Sequence, residues 1–167
     1  MRGRRGYKRP CQPDARHDDQ YPEHASAVLF ADRVVPICAP GFLTAERRIA
    51  DLADRWLIHT DWGPAWRDDP SWRAWFAQIG VAREAAPNTG VRAHLTGHAV
   101  ALAAGGVGVA LAPMELVRPL VEQGRLIVPH PASLAMEGVY GAIWPHARSN
   151  LRRLRDLLGH LGIRSLP

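Results

Sequence analysis

The 167-residue chain has room for one ordinary domain or two small lobes, and its 47% hydrophobic content is enough for a real core. Its net charge of +5 would suit nucleic acid, but residues 1–16 carry all of it: Arg2, Arg4, Arg5, Lys8, Arg9 and Arg16 stand against Asp14 alone. The remaining 15 basic and 15 acidic residues balance, which removes a basic nucleic-acid-binding surface from the body of the chain.

Two cysteines, Cys11 and Cys38, make neither a paired metal-ligand spacing nor a disulfide framework, which fits a reducing compartment. The basic start is not followed by an apolar stretch between Gly6 and Gln20, so it does not read as a secretory leader. No run approaches the roughly 18 apolar residues that would span a bilayer. A cytoplasmic protein with no membrane partner is expected.

Taken in order, residues 1–13 are basic, punctuated by Gly3, Gly6, Pro10 and Pro13, and expected to be a disordered tail. Asp14 to Ala27 is polar and loop-like, and Val28–Phe30 and Val34–Ala39 read as two strands. After a Pro40-Gly41 turn, Ile49, Leu52, Ala53 and Trp56 recur at helical spacing. Trp56–His59 reads as a short strand opening into the loop His59-Thr60-Asp61-Trp62-Gly63-Pro64-Ala65-Trp66. A helix follows, with Asp69 as N-cap, Pro70 as first helical residue, Trp72, Trp75, Phe76 and Ile79 as its apolar stripe and Gly80 as its stop.

The centre of the chain is Val91 to Pro113. It reads as a strand to Leu95, a Thr96 N-cap, an apolar helix ended by Gly105-Gly106, and a strand from Val107 to Ala112 buried on both faces. A helix without a polar face should be covered on all sides. Pro113 then starts a helix that turns Leu116, Val117, Leu120 and Val121 inward, with a kink or early end expected at Pro119 and a stop at Gly124. Leu126–Val128 and Val139–Trp144 read as strands, and a last helix from about Ser149 to Leu161 buries Leu151, Leu154, Leu158 and Leu161 while exposing Arg152, Arg153, Arg155 and Asp156.

Strands alternating with helices at this spacing indicate parallel α/β units, in which ligands bind beyond the carboxyl ends of strands. Two loops qualify, His59 to Trp66 and Leu95 to His98. Thr96-Gly97-His98 joins a hydroxyl, a glycine that lets a ligand approach the backbone, and a helix N-terminus that favours negative charge. Thr96 as a mere cap remains the competing reading. His59, Asp61, His94 and His98 raise the alternative of a small hydrolase-like metalloenzyme, although Thr96-Gly97 should keep the two later histidines off one helix face. Gly105-Gly106-Val107-Gly108 runs from helix into strand, opposite to the order of a dinucleotide fingerprint, so close packing explains it better. No serine sits in a nucleophile-elbow setting, and Asp18-Asp19 and Asp68-Asp69 do not suggest acid/base work.

Leu29 to Pro40, then Asp51-Leu52 with Trp56-Leu57-Ile58-His59, then Trp72-Arg73-Ala74-Trp75-Phe76 occur in an order that resembles the effector-binding domain of LysR-type transcriptional regulators, with the glycine-cleavage activators the most similar branch. The resemblance continues through Ala99–Leu111, Gly124 to Pro129, Val139–Pro145 and the final leucine helix, covering roughly residues 14 to 162. It implies an α/β, periplasmic-binding-protein-like fold with one complete Rossmann-like lobe (about 40–138) and a partial second lobe, the remnant of lobe one (14–39 and 139–167), crossed by two strands.

It also implies a non-enzymatic sensor without a cofactor or metal, holding a small polar or carboxylate effector in an interlobe cleft. His59, Thr60, Asp61, Trp62, Thr96, Gly97, His98, Tyr140 and Arg16 fall on the family's cleft positions. The winged helix-turn-helix and linker helix that open family members are not found before Asp14, so the resemblance implies an N-terminally truncated member. Such a chain would make no direct DNA contact itself and would associate as a homodimer or higher homo-oligomer.

Overall fold

A computed structural model describes residues 23–44, 48–62, 70–84, 89–148 and 152–162. The chain divides into two compact units, one comprising residues 1–32 and 136–167 and the other residues 33–135. Among the described residues no helix is long and apolar enough to cross a membrane.

The larger unit is built on four strands in the order β3-β2-β4-β1, with β1 at His24–Ile37, β2 at Leu57–Thr60, β3 at Val91–Ala93 and β4 at Val109–Pro113. β2 runs parallel to both β3 and β4, whereas β4 pairs antiparallel with the carboxyl half of β1 through Val34↔Pro113 to Ile37↔Ala110. All five residues of β4 are buried, as an unbroken apolar run between two covering layers must be. Helix α2 (Thr96–Ala104) and helix α3 (Met114–Glu122) cover one face, with Ala99, Val100, Ala103 and Val117 packed against Ile37, Ile58, Ala93 and Ala110. Helix α1 (Trp72–Gln78) is fastened by two indoles: Trp72 donates to the Ile58 carbonyl at 3.0 Å and Trp75 to the Ala132 carbonyl at 3.1 Å.

In the smaller unit the amino-terminal part of β1 lies beside β5 (Leu134–Pro145), and helix α4 (Arg152–His160) closes a small core of Ala25, Trp144 and Leu158.

Several elements differ from the sequence expectation for identifiable reasons. The two strands expected at Val28–Phe30 and Val34–Ala39 are one, with Asp32 buried inside the strand instead of turning the chain, and β1 reaches back to His24 into the stretch expected to be loop. The helix expected after Ile49 is two single 3₁₀ turns, Ile49–Asp51 and Asp54–Trp56. Leu52 and Ala53 are extended, and the Arg83 guanidinium takes the carbonyls of Ala50 at 2.8 Å and Leu52 at 2.5 Å and pairs with Asp54. Those carbonyls would otherwise accept from the next helical turn.

Asp69 lies outside the described residues. The cap of α1 is Ser71, whose Oγ accepts the Ala74 N–H at 3.2 Å, and Pro70 precedes the helix instead of opening it. Gly80 ends the turn at φ +72° as expected.

Helix α2 is not covered on all sides. Gly97, His98, Ala101 and Gly105 face outward, a stripe so small that its exposure leaves little apolar surface in water. In α3, Pro113 belongs to β4, Leu116 is exposed and only Val117 is fully buried, while the helix continues past Pro119 to a Gly124 at φ +70°. Leu126–Val128 is not a strand but one bridge, in which the Cys38 and Ile127 backbones exchange hydrogen bonds of 3.2 and 2.9 Å.

In α4, Ser149 and Leu151 fall outside the described residues, Leu158 is fully covered by Ala25 and Trp144, and Leu161 is exposed just beyond the helix end. Arg152, Arg153, Arg155 and Asp156 are exposed as expected.

Candidate functional site

The carboxyl ends of β2 and β3 come together in register, Ile58 opposite Val91, His59 opposite Arg92 and Thr60 opposite Ala93. The pairing is continued beyond the strand by the Asp61 N–H, which donates to the Ala93 carbonyl at 2.9 Å. His94 Nδ1 then lies 3.9 Å from the Asp61 carboxylate in an open setting. Helix α2 begins three residues past the end of β3, so the strand ends and the first turn of α2 occupy one end of the larger unit. This is where parallel α/β sheets offer backbone N–H groups to ligands.

Thr96 is not the N-cap of α2. Leu95 is the cap, with no side-chain capping bond, its carbonyl accepting from the His98 and Ala99 N–H groups at 3.0 and 3.2 Å. Thr96 and Gly97 are therefore the first two helical residues, whose N–H groups have no acceptor within the helix. A methyl group added at Gly97 would meet nothing within 4 Å, so the glycine leaves the space over this turn open. His98 is exposed.

The side chains at the end of β2 are the least satisfied of the predicted set. Thr60 Oγ1 and His59 Nε2 are both buried atoms with no hydrogen-bond partner among the described residues. Strand alternation sends them to opposite faces of the sheet. Burial first, and the Arg92 charge second, hold the His59 imidazole below its ordinary pKa, opposed only by Asp54. Gly90 leaves no room for a side chain beside the ring: a Cβ added there would sit 3.0 Å from His59 Cδ2 and 2.3 Å from the Leu57 carbonyl. Trp62 is half-buried, its indole N–H donating to the Pro70 carbonyl at 3.1 Å.

His59, Thr60, Asp61, Trp62, Thr96, Gly97 and His98 all belong to the larger unit. Tyr140 belongs to the smaller one, stacked on Phe30 with ring centroids 4.7 Å apart, and its hydroxyl pKa is raised by burial and by the nearby Asp32 charge. Arg16 lies outside the described residues. Sequence reading missed Arg92 and Gly90, since only the β2–β3 register reveals that they flank His59.

The glycines after α2 pack as expected: Gly106 turns at φ +76°, and a Cβ at Gly108 would fall 2.3 Å from the Trp56 carbonyl. Among the described residues no group of three or more His, Cys, Asp or Glu side chains is placed to hold a metal ion, so Asp61 and His94 meet without a third ligand.

Comparison with known proteins agrees with this architecture. Residues 15–164 match the family described as the LysR substrate binding domain. The chain is 30% identical over 125 residues to the HTH-type transcriptional activator AmpR of Rhodobacter capsulatus, covering 75% of this chain and 40% of that protein. Among solved structures it resembles the effector domain of the transcriptional regulator AmpR of Pseudomonas aeruginosa, with a TM-score of 0.62 and 22% identity over 83% of this chain and 64% of the other. The AmpR effector binding domain of Citrobacter freundii gives a TM-score of 0.65 at 20% identity, covering 83% of this chain and 66% of that one. The chain thus spans less than half of the curated relative and about two thirds of each solved domain. It belongs to the LysR substrate-binding domain family and has that family's periplasmic-binding-protein-like α/β fold.

Proposed function

We propose that the chain is the effector-sensing part of a LysR-type transcriptional regulator, binding a small polar or carboxylate ligand without catalysing a reaction. The observation that carries this reading is that, in a chain of this family, the Thr60 hydroxyl, the first turn of α2 and the open space over Gly97 all follow the carboxyl ends of the parallel strand pair β2 and β3. Unpaired N–H groups at a helix start favour negative charge, and a buried hydroxyl without a partner gains a hydrogen bond when a polar ligand arrives. Asp61, Trp62, His98 and His59 border the same end, and Tyr140 and Arg16 would complete an interlobe cleft of the kind the family resemblance implies.

Sensing then works by differential affinity, the ligand favouring one arrangement of the two units over another. A homodimer or higher homo-oligomer in the cytoplasm, and kinship with the glycine-cleavage activators within the family, belong to the same proposal. The relatives are regulators, which supports a sensor over an enzyme.

A thermal-shift screen of the twenty amino acids and small organic acids tests it. At least one compound raises the unfolding midpoint of the native chain, and Thr60→Val abolishes that rise. A screen without a single rise, or a rise unaffected by Thr60→Val, overturns the reading.

A further inference from the structure

The sheet order leaves two edges, β3 in the larger unit and β5 in the smaller, and the two are built differently. β3 is three residues long with an exposed Arg92 at its middle, the short, charged form that discourages a further strand. β5 is twelve residues long. Its run Leu-Ala-Met-Glu-Gly-Val-Tyr-Gly-Ala-Ile-Trp-Pro holds one charged residue, Glu137, and no proline before the last position. Among the described residues the outer edge of β5 meets no strand, so alternate backbone N–H and C=O groups along it have no sheet partner there.

The side chains beside that edge are apolar. Tyr140 and Ile143 of β5 are exposed, and so are Val28 and Phe30 of the neighbouring β1, with Phe30 stacked on Tyr140. Helix α4 covers Ala25 and Trp144 and leaves these four in water.

We propose that the β5 edge is where a second copy of this chain docks, the two β5 strands pairing antiparallel about a two-fold axis near Gly141. Identical strands that meet edge to edge across such an axis run antiparallel, so one surface serves both copies and the pairing closes at two. Charge favours this register. Glu137 stands on opposite sides of the axis in the two copies, and each lies at the end of the pair where the other copy carries His146 and Arg148, both exposed. Tyr140 and Ile143 flank the axis, so pairing brings the exposed apolar residues of the two strands together.

The existence of a homodimer rests on the reading above, and the experiment separates its failure from that of the surface. Sedimentation velocity of the full chain is run over a wide concentration range for the native protein, for Ile143→Lys, and for Val107→Lys, which places the same charge in the groove between β3 and α2. The native chain sediments as a dimer, Ile143→Lys dissociates at about tenfold higher concentration, and Val107→Lys matches the native chain. A native chain that is monomeric throughout overturns the homodimer and the surface together. A dimer that Ile143→Lys leaves as tight, or that Val107→Lys weakens as much, overturns the surface alone. A second readout needs no variant: amide hydrogen exchange of residues 138–144 in the native chain slows severalfold as concentration rises, and exchange there that is independent of concentration overturns the surface equally.

Discussion

Trp72 donates its indole N–H to the backbone carbonyl of Ile58 at 3.0 Å, tying α1 to the strand that ends in His59 and Thr60. The bond joins residues 14 positions apart and is buried, so the strand end is positioned by a side chain whose ring also packs against Trp75 and Phe76.

Trp72→Phe keeps most of the apolar body and removes the donor. A lost buried hydrogen bond costs about 1 kcal/mol with some added penalty for the smaller ring, whereas Trp72→Ala costs about 3–5 kcal/mol. Urea unfolding of the two variants separates these values. A Trp72→Phe variant as weak as Trp72→Ala would show that the donor, not the packing, dominates.

Glycine substitutions divide by position. Gly108→Ala drives a Cβ into the Trp56 carbonyl at 2.3 Å and should destabilise the sheet severely, as should Gly90→Ala against Leu57. Gly97→Ala meets nothing within 4 Å and sits inside a helix, so it should stabilise the chain by about 0.5–1 kcal/mol. If a ligand approaches that first turn, the same variant binds more weakly while melting higher. The opposite directions of the two effects can be read from one set of melting curves with and without ligand.

Arg83 replaces helical hydrogen bonding between Ala50 and Asp54. Arg83→Met leaves two carbonyls and a carboxylate without their guanidinium partner, and a loss of about 1–3 kcal/mol is expected. Proteolysis should then begin in the 48–56 segment, ahead of the β4 core.

Cys38 is buried, and burial pushes its thiol up to about 11. Its thiolate is therefore scarce at neutral pH, and alkylation in the folded chain should be far slower than in denaturant. Mass spectrometry after brief iodoacetamide treatment checks this. Rapid labelling of Cys38 without denaturant would show that the backbone bridge between Cys38 and Ile127 opens readily.

The sequence was most legible where hydrophobic pattern and stop signals agreed. The unbroken Val109–Ala112 run, the Trp72-Trp75-Phe76 stripe and the glycines at 80, 106 and 124 all fixed their elements within a residue or two. It misled where a distant side chain overrode local preference. The Ile49 helix yielded to Arg83; the cap of α1 is a local matter, falling on Ser71 two residues past the expected Asp69. Leu161 illustrates a third limit: the helix ends within a residue of where it was expected, but periodicity does not say whether its last apolar residue finds a partner, and Leu161 is exposed.

The candidate site was legible as two loops but not as a relationship. The alternation of strands and helices pointed to the loops His59 to Trp66 and Leu95 to His98 separately. Only the register of β2 with β3 puts Arg92 opposite His59, and only the backbone shows Leu95, not Thr96, as the cap. The consequence for function is concrete. Thr96 becomes the first helical residue of α2, and the proposed ligand would meet its side chain together with first-turn N–H groups that have no acceptor within the helix.

The central claim is that one end of the larger unit, made by β2, β3 and the start of α2, binds a small polar or carboxylate effector. Two-dimensional NMR of the isotope-labelled chain, titrated with the same compound panel, tests it most directly. The account predicts one compound whose addition saturably shifts the amides of Thr60, Asp61, Thr96 and Gly97 before those elsewhere. A panel that leaves these amides unmoved, or a compound that binds with its shifts confined to other residues, would contradict it.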